Sequence, residues 1–228
     1  MTILIIIRIN YVIIMINKGK SMKKGFTLTE VLITLGIVGA ISVLTLPNLI
    51  TSHHDKQFVA QMQRTYNIIR NSMVQYIADE YADDINGTSL NGSIGDEGKN
   101  FLNRKYFGIT KDCGLLQAEP YAEDSGYDCI GDNYTLSDRT TTDIGNEFFY
   151  CVILKTGASV CLSPIQEGRA IFLDVNGKSK PNMFGRDAFL LQYDDNGRIV
   201  DKDSDECETS KGKYGCFGKI QRNGWTIK

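Results

Sequence analysis

Residues 26–50 form an apolar stretch headed by Lys23, Lys24 and Gly25 and broken by one carboxylate, Glu30. The stretch holds about twenty apolar or small residues, the length a membrane helix needs. An acid in a membrane helix costs roughly 2.5–3.5 kcal/mol at the centre and less near an end. A plain anchor or a secretory signal gains nothing from that cost, so Glu30 requires a partner. This segment constrains the fold more than any other: it begins a helix that cannot be packed wholly inside a small head.

The run Lys23-Lys24-Gly25-Phe26-Thr27-Leu28-Thr29-Glu30 resembles the processing motif of type IV prepilins and type II secretion pseudoprepilins. The resemblance implies that a membrane peptidase cuts between Gly25 and Phe26 and N-methylates Phe26. Glu30 is then the fifth residue of the mature chain. The chemistry agrees independently. Cleavage creates an α-amine on Phe26, four residues before Glu30, and such positions are neighbours on a helix. The amine of one subunit can also meet Glu30 of the next. A buried carboxylate paired with an ammonium costs far less than one left alone. Glu30 then sets register during assembly, as buried polar groups do in coiled coils.

Residues 1–21 depart from the short polar leader of that family. Residues 3–16 are apolar apart from Asn10 and Arg8, too short for a comfortable span. One reading is a start assigned too early, with Met22 as the true start; Lys18-Gly19 is encodable as a ribosome-binding sequence at a suitable distance. The other is a membrane hairpin with Lys18, Lys20, Lys23 and Lys24 on the cytoplasmic side. Either way the segment is kept out of fold reasoning.

Removing residues 1–25, which hold five basic residues and no acid, leaves 20 basic against 27 acidic residues, a net of −7. Nucleic-acid binding needs a basic footprint, so no nucleic-acid partner is expected. Six cysteines, Cys113, Cys129, Cys151, Cys161, Cys207 and Cys216, all follow the apolar segment. An exported domain meets an oxidising compartment, where an even count reads as disulfides. Lys155-Thr156-Gly157 reads as a three-residue hairpin loop with Gly157 in the left-handed position. That register sets Cys151 opposite Cys161. Proximity suggests Cys113–Cys129 and Cys207–Cys216. No Cys-x-x-Cys spacing is present, which argues against zinc.

The segments expected are a leader (1–25), a transmembrane and filament-core helix (26–50), its amphipathic continuation (51–82) and an exported head (83–228). Gly36 and Gly39 permit close helix approach. Pro47 removes a backbone donor and crowds the carbonyl of Val43, so it should kink or locally melt the helix. Phe58, Met62, Tyr66, Ile69, Met73, Ile77 and Tyr81 repeat at helical spacing, a stripe buried against the head. Residues 83–98 read as a loop and 101–107 as a short helix with Phe101, Leu102, Tyr106 and Phe107 buried. Residues 111–144 read as loop-rich with aromatics, stapled by disulfides. Strands are expected at 147–154, 158–163, 170–175, 188–193, 198–200 and 225–227, with Asn196-Gly197 as a hairpin turn. The fold class is α+β: a pilin-like long N-terminal helix on an antiparallel sheet head with disulfides.

The stretch from Asp174 to Asp187 is similar to an Asp-x-Asn-Gly…Pro-Asn…Gly-x-Asp segment of many pseudopilin-like proteins. Alternate oxygen donors about a glycine turn resemble the start of a calcium loop. Asp174, Asn176, Asn182 and Asp187, with a carbonyl near Lys178, are the candidate ligands for Ca²⁺. The competing reading is a network of Asx turns without metal. His53 and His54 are adjacent, diverge on a helix and cannot chelate together. The acidic run 201–206 reads as a solvated loop, and Trp225 as core.

The resemblance implies a filament subunit of a type II secretion pseudopilus or type IV pilus. Its partners are prepilin peptidase, other pilin or pseudopilin subunits, an inner-membrane assembly platform and membrane lipid. The chain would sit singly across the inner membrane, its head in the periplasm or outside the cell. A second hypothesis is a minor tip subunit acting as an adhesin or DNA-uptake module, which the acidic charge disfavours for DNA. An enzyme is not expected: only two adjacent histidines are present, and no phosphate loop, dinucleotide fingerprint or zinc-protease motif appears.

Overall fold

The computed structural model describes residues 25–91, 100–102, 107–116, 126–142, 144, 150–163, 168–201 and 206–227. The chain divides into two compact units, Met1–Leu49 and Ile50–Lys228, each described by itself.

In the first unit the helix α1 (Leu28–Asp79) begins. It is the one helix among the described residues that is long and apolar enough to cross a membrane. Its described side chains up to Leu46 are exposed, apart from a half-exposed Ser42. The hydroxyls of Thr34, Ser42 and Thr45 donate to the carbonyls of Val31, Val38 and Ile41 at 3.0, 2.7 and 2.9 Å. Their polarity is spent on their own backbone, which leaves an apolar outer surface. The backbone at Pro47 is helical, so the local melting expected there is not seen.

In the second unit α1 continues from Ile50. Its buried stripe is Phe58, Met62, Thr65, Ile69, Ser72, Met73 and Tyr76, at the three- and four-residue spacing of one helix face. The helix stops through a Schellman motif. The Ala82 amide donates to Ile77 O at 3.1 Å and the Tyr81 amide to Ala78 O at 3.2 Å. Tyr81, expected at the end of the buried stripe, lies beyond the helix and is instead 98 % exposed; it takes the left-handed conformation (φ 55°) usually left to glycine.

Opposite the helix lies a six-stranded antiparallel sheet: β1 (Ile109–Leu115), β4 (Tyr150–Leu154), β5 (Ser159–Leu162), β6 (Ala170–Asp174), β7 (Ala188–Tyr193) and β8 (Ile199–Val200), hydrogen-bonded in that order. A small hairpin, β2 (Tyr134–Thr135) with β3 (Thr141–Thr142), lies apart from it. Alternation along each strand divides the core into two clusters. Val152, Leu154, Val160, Leu162, Ile171, Leu173, Phe189 and Leu191 pack with the helix stripe. Cys151, Cys161, Phe172 and Leu190 face the other way, onto Ile130, Tyr134 and Phe184. Strand register lines up Cys151, Cys161, Phe172 and Leu190 as one cross-strand row.

The expected hairpin forms: Leu154 pairs its amide with Ala158 O at 2.8 Å, Gly157 has φ 86°, and Cys151 stands opposite Cys161. Disulfides join Cys113–Cys129, Cys151–Cys161 and Cys207–Cys216.

Two expectations are corrected. The segment 111–144 reads as loop-rich with no strand assigned, but residues 109–115 form the sheet-edge strand β1. Register shifts at Ile109/Lys111 and Asp112/Gly114 interrupt its pairing with β4, so its side chains never alternate cleanly. The strand expected at 225–227 is absent. Two helices occupy the C-terminus instead: α2 (Glu206–Thr209) and α3 (Cys216–Arg222). Phe217 and Ile220 bury one face of α3. Trp225 then folds back onto Tyr66 and Phe217, with ring centroids 5.9 and 5.8 Å away. The helix begins without a capping side chain of its own. Asp201 supplies one from a distance, accepting from the amides of Gly215 and Gly218 at 2.9 Å each.

The expected loop at 83–98 contains two 3-10 turns, Ile85–Gly87 and Ser89–Asn91, which bury Ile85 and Leu90. Of the expected helix at 101–107, residues 100–102 are helical and Phe101, Leu102 and Phe107 are buried. Tyr106 lies outside the described residues, as do residues 1–24, 145–149 and 202–205.

Candidate functional site

The first site is the start of α1. Gly25 is exposed, nothing among the described residues lies within 4 Å of where its Cβ would be, and Phe26 is 81 % exposed. Among the described residues nothing covers the Gly25–Phe26 bond. Thr27 and Glu30 form a reciprocal pair. The Thr27 amide and hydroxyl each donate to Glu30 Oε2 at 2.9 Å. The Glu30 amide donates to Thr27 Oγ1 at 3.3 Å. Val31 closes the first helical bond onto Thr27 O at 3.2 Å. This is a capping box, with Thr at the N-cap and Glu three residues on. Sequence reasoning assigned Glu30 to an ammonium and missed Thr27, although Thr-x-x-Glu before an apolar run is the signal for such a cap.

The second site is the loop between β6 and β7. Asp174 and Asp187 are wholly buried. The Tyr134 hydroxyl donates to Asp174 Oδ2 at 2.8 Å and accepts from the Gly131 amide at 2.9 Å. The Asn176 amide donates to Asp174 Oδ1 at 3.2 Å. The amides of Asn182 and Met183 donate to the two oxygens of Asp187 at 2.9 and 2.7 Å. Burial pushes the Asp174 carboxyl up to about 8, with Asp187 nearby adding to it and the Tyr134 hydrogen bond opposing it. Asp187 is also raised by burial, against the pull of the Met183 and Asn182 amides. Burial likewise holds Tyr134 protonated, as its role as donor requires.

Glycine is required at two places around this loop. Gly177 has φ 64°, and a Cβ there would lie 2.9 Å from Gly157 O. A Cβ on Gly131 would lie 2.2 Å from Asn182 Nδ2. Next to the loop, Arg186 donates from Nε and Nη2 to Asp55 Oδ1 at 3.1 and 2.9 Å and lies over the Phe58 ring at 5.6 Å. The loop is thereby clamped to α1.

As a cation site the loop divides. Both carboxylates already accept from protein donors, and among the described residues no group of three His, Cys, Asp or Glu could hold a metal. Asn176 Oδ1 and Asn182 Oδ1 are buried without a hydrogen-bond partner among the described residues. Asn176 Nδ2 donates to the carbonyls of Ser179 and Lys180 at 2.6 and 3.2 Å, which fixes the amide and leaves its oxygen as a true orphan acceptor. Near Lys178, the ammonium stands 3.8 Å from Asp128. His53 and His54 are exposed on α1, with ring centroids 6.5 Å apart.

Residues 20–46 match the family model described as the prokaryotic N-terminal methylation motif. No curated protein matches the chain. No solved structure matches it. Proteins with this motif are structural subunits rather than enzymes. With a capping box at the head of one long apolar helix and an antiparallel, disulfide-bonded head, residues 20–46 carry the signature of type IV pilin- and pseudopilin-like proteins processed by prepilin peptidase.

Proposed function

We propose that this chain is a filament subunit of a type II secretion pseudopilus or a type IV pilus, held in the inner membrane by residues 26–50 until assembly. The observation that carries this reading is the methylation motif on a helix start with an exposed Gly25–Phe26 bond and a lone acid four residues later. Cleavage frees the Phe26 amine. Glu30 then exchanges its Thr27 donors for an ammonium, its own or a neighbour's, and the helices bundle with Gly36 and Gly39 allowing close approach. An inner-membrane platform and a cytoplasmic motor supply the extraction. Mass spectrometry of the mature N-terminus tests the reading. It should find a chain beginning at N-methyl-Phe26, and a membrane-bound chain still continuous through Gly25–Phe26 would overturn it.

A second reading concerns the loop. The two buried acceptors without donors favour a cation, so we propose that Ca²⁺ enters among Asp174, Asn176, Asn182 and Asp187. Calcium should then raise the melting temperature of the protein and chelator lower it. No change in either removes the proposal.

A further inference from the structure

The part of α1 in the second unit carries two fields of opposite charge. Lys56, Arg64 and Arg70 are exposed. At 100° per residue they fall within one arc of about 120°, together with Ala60, Asn67, Val74 and Ala78. Among the described residues none of the three cations pairs with a carboxylate. The opposite field gathers where the helix ends. Asp79, Glu80, Asp83 and Asp84 follow one another there. The fold adds two more: the Ile85 amide donates to Asp195 O at 2.8 Å, and Asn86 Nδ2 bridges Asp84 Oδ2 and Asp195 Oδ1 at 3.3 and 3.1 Å. Asp194 precedes Asp195 in the chain, and the Arg169 guanidinium donates to Asp195.

The helix dipole does not favour this placement. The C-terminal end of a helix is its negative pole and favours cations, yet the last turn of α1 has no basic residue. Acids are collected where their own helix disfavours them, and cations are left open further back along the same axis. The two fields are roughly 25 Å apart along the axis at 1.5 Å per residue. They complement each other, and neither complements itself.

We propose that the Lys56–Arg64–Arg70 flank of one copy docks on the carboxylate end of α1 in a second copy. A contact between two different patches is heterologous, and where the rotation does not close it propagates as an open helical array. The inference rests on the filament reading and deepens it by naming the surfaces that select the neighbouring copy. Complementary charge fixes register and suppresses wrong pairings.

The test uses the full chain expressed with its processing and assembly machinery. Arg64→Glu with Arg70→Glu should leave cleavage unchanged and lower the fraction of processed subunit in sheared filaments about tenfold. Adding Glu80→Lys with Asp83→Lys exchanges both fields and should restore incorporation. The milder Arg64→Gln with Arg70→Gln, which cannot repel, should form filaments that shed subunits with less dependence on salt than wild type. A photo-crosslinking residue at Asn67 should give a ladder of this chain. Normal incorporation of the reversed chain, no recovery in the exchanged chain, a ladder that stops at a dimer, or capture of a different protein would each overturn the proposal. An uncleaved wild-type chain that never polymerises would instead overturn the filament reading beneath it.

Discussion

Glu30 and Thr27 close on each other at the start of α1, two hydrogen bonds from Thr27 entering one carboxylate oxygen at 2.9 Å each. The acid that sequence reasoning left waiting for an ammonium is already hydrogen-bonded within its own chain. This changes the energetics of the stored subunit. A carboxylate satisfied by an amide and a hydroxyl is less costly near a membrane boundary than a bare one, and its release costs those two bonds. On the proposed filament reading, assembly is an exchange of partners. The Thr27 bonds already end on a charged carboxylate; what an ammonium adds is the opposite charge, which pairs the acid as the bundle buries it and gives the exchange its direction.

Thr27→Val removes the hydroxyl and keeps the shape. Loss of an N-cap costs about 1 kcal/mol, so the first turn should fray and amides 28–31 should exchange faster with deuterium in detergent-solubilised full chain. Thr27→Ser should keep wild-type protection. Glu30→Leu also loses the cap, but it should insert and be cleaved normally and then fail to enter filaments. If Glu30→Leu is incorporated like wild type, the pairing role of the acid is refuted.

The Asp174 carboxyl gives the head a pH signature. Burial raises it in the fold to about 8, against about 3.9 in an unfolded chain. Between these values the fold holds a proton that the unfolded chain has released. Stability from this group is therefore full below about pH 4 and is lost as pH rises toward 8, at no more than about 1.4 kcal/mol per pH unit. Chemical denaturation in chelator at pH 5, 6, 7 and 8 should show this decline. Asp174→Asn, which keeps an acceptor for Tyr134, should flatten it. An equally steep decline in that variant would move the effect elsewhere, Asp187 first.

The helix stripe and the meander from β4 to β8 were legible because their periods are clean. Val152, Val160, Leu173 and Phe189 alternate on one face, and Asn196-Gly197 and Gly157 mark the turns. β1 was not legible, because its register shifts break the two-residue period that identifies a strand. The C-terminal helix was hidden for a different reason. Its cap comes from Asp201, fourteen residues before Gly215, so no local Ser, Thr, Asp or Asn announces it. At the candidate site the cleavage motif is plain in the residues, whereas the burial of Asp174 depends on Tyr134, forty residues away. Hydrogen bonds that span such separations leave no trace in a window of sequence.

The Cys151–Cys161 bridge joins two wholly buried residues in facing strands, whereas Cys207 is only half-buried. Mild reduction followed by alkylation and mass spectrometry should therefore open Cys207–Cys216 well before Cys151–Cys161. Replacing both Cys151 and Cys161 by Ala should cost the head roughly 2–4 kcal/mol. Opening of Cys151–Cys161 first would mean that β4 and β5 part more readily than the rest of the sheet.

The Asp201 cap separates a helical C-terminus from the strand that the sequence suggested. Asp201 receives the Gly215 and Gly218 amides, and nothing on α3 itself replaces it. Asp201→Ala should remove about 1 kcal/mol and lower the melting temperature by about 2–4 °C for a unit of this size. The loss should be local, since Phe217 stays fixed by Tyr66 and Phe189, with ring centroids at 5.4 and 5.7 Å. Hydrogen exchange should accelerate at residues 215–219 and stay unchanged in β7. A C-terminal strand would draw its stability from ladder bonds rather than from Asp201, so a variant with wild-type melting and wild-type exchange at 215–219 would contradict the helix.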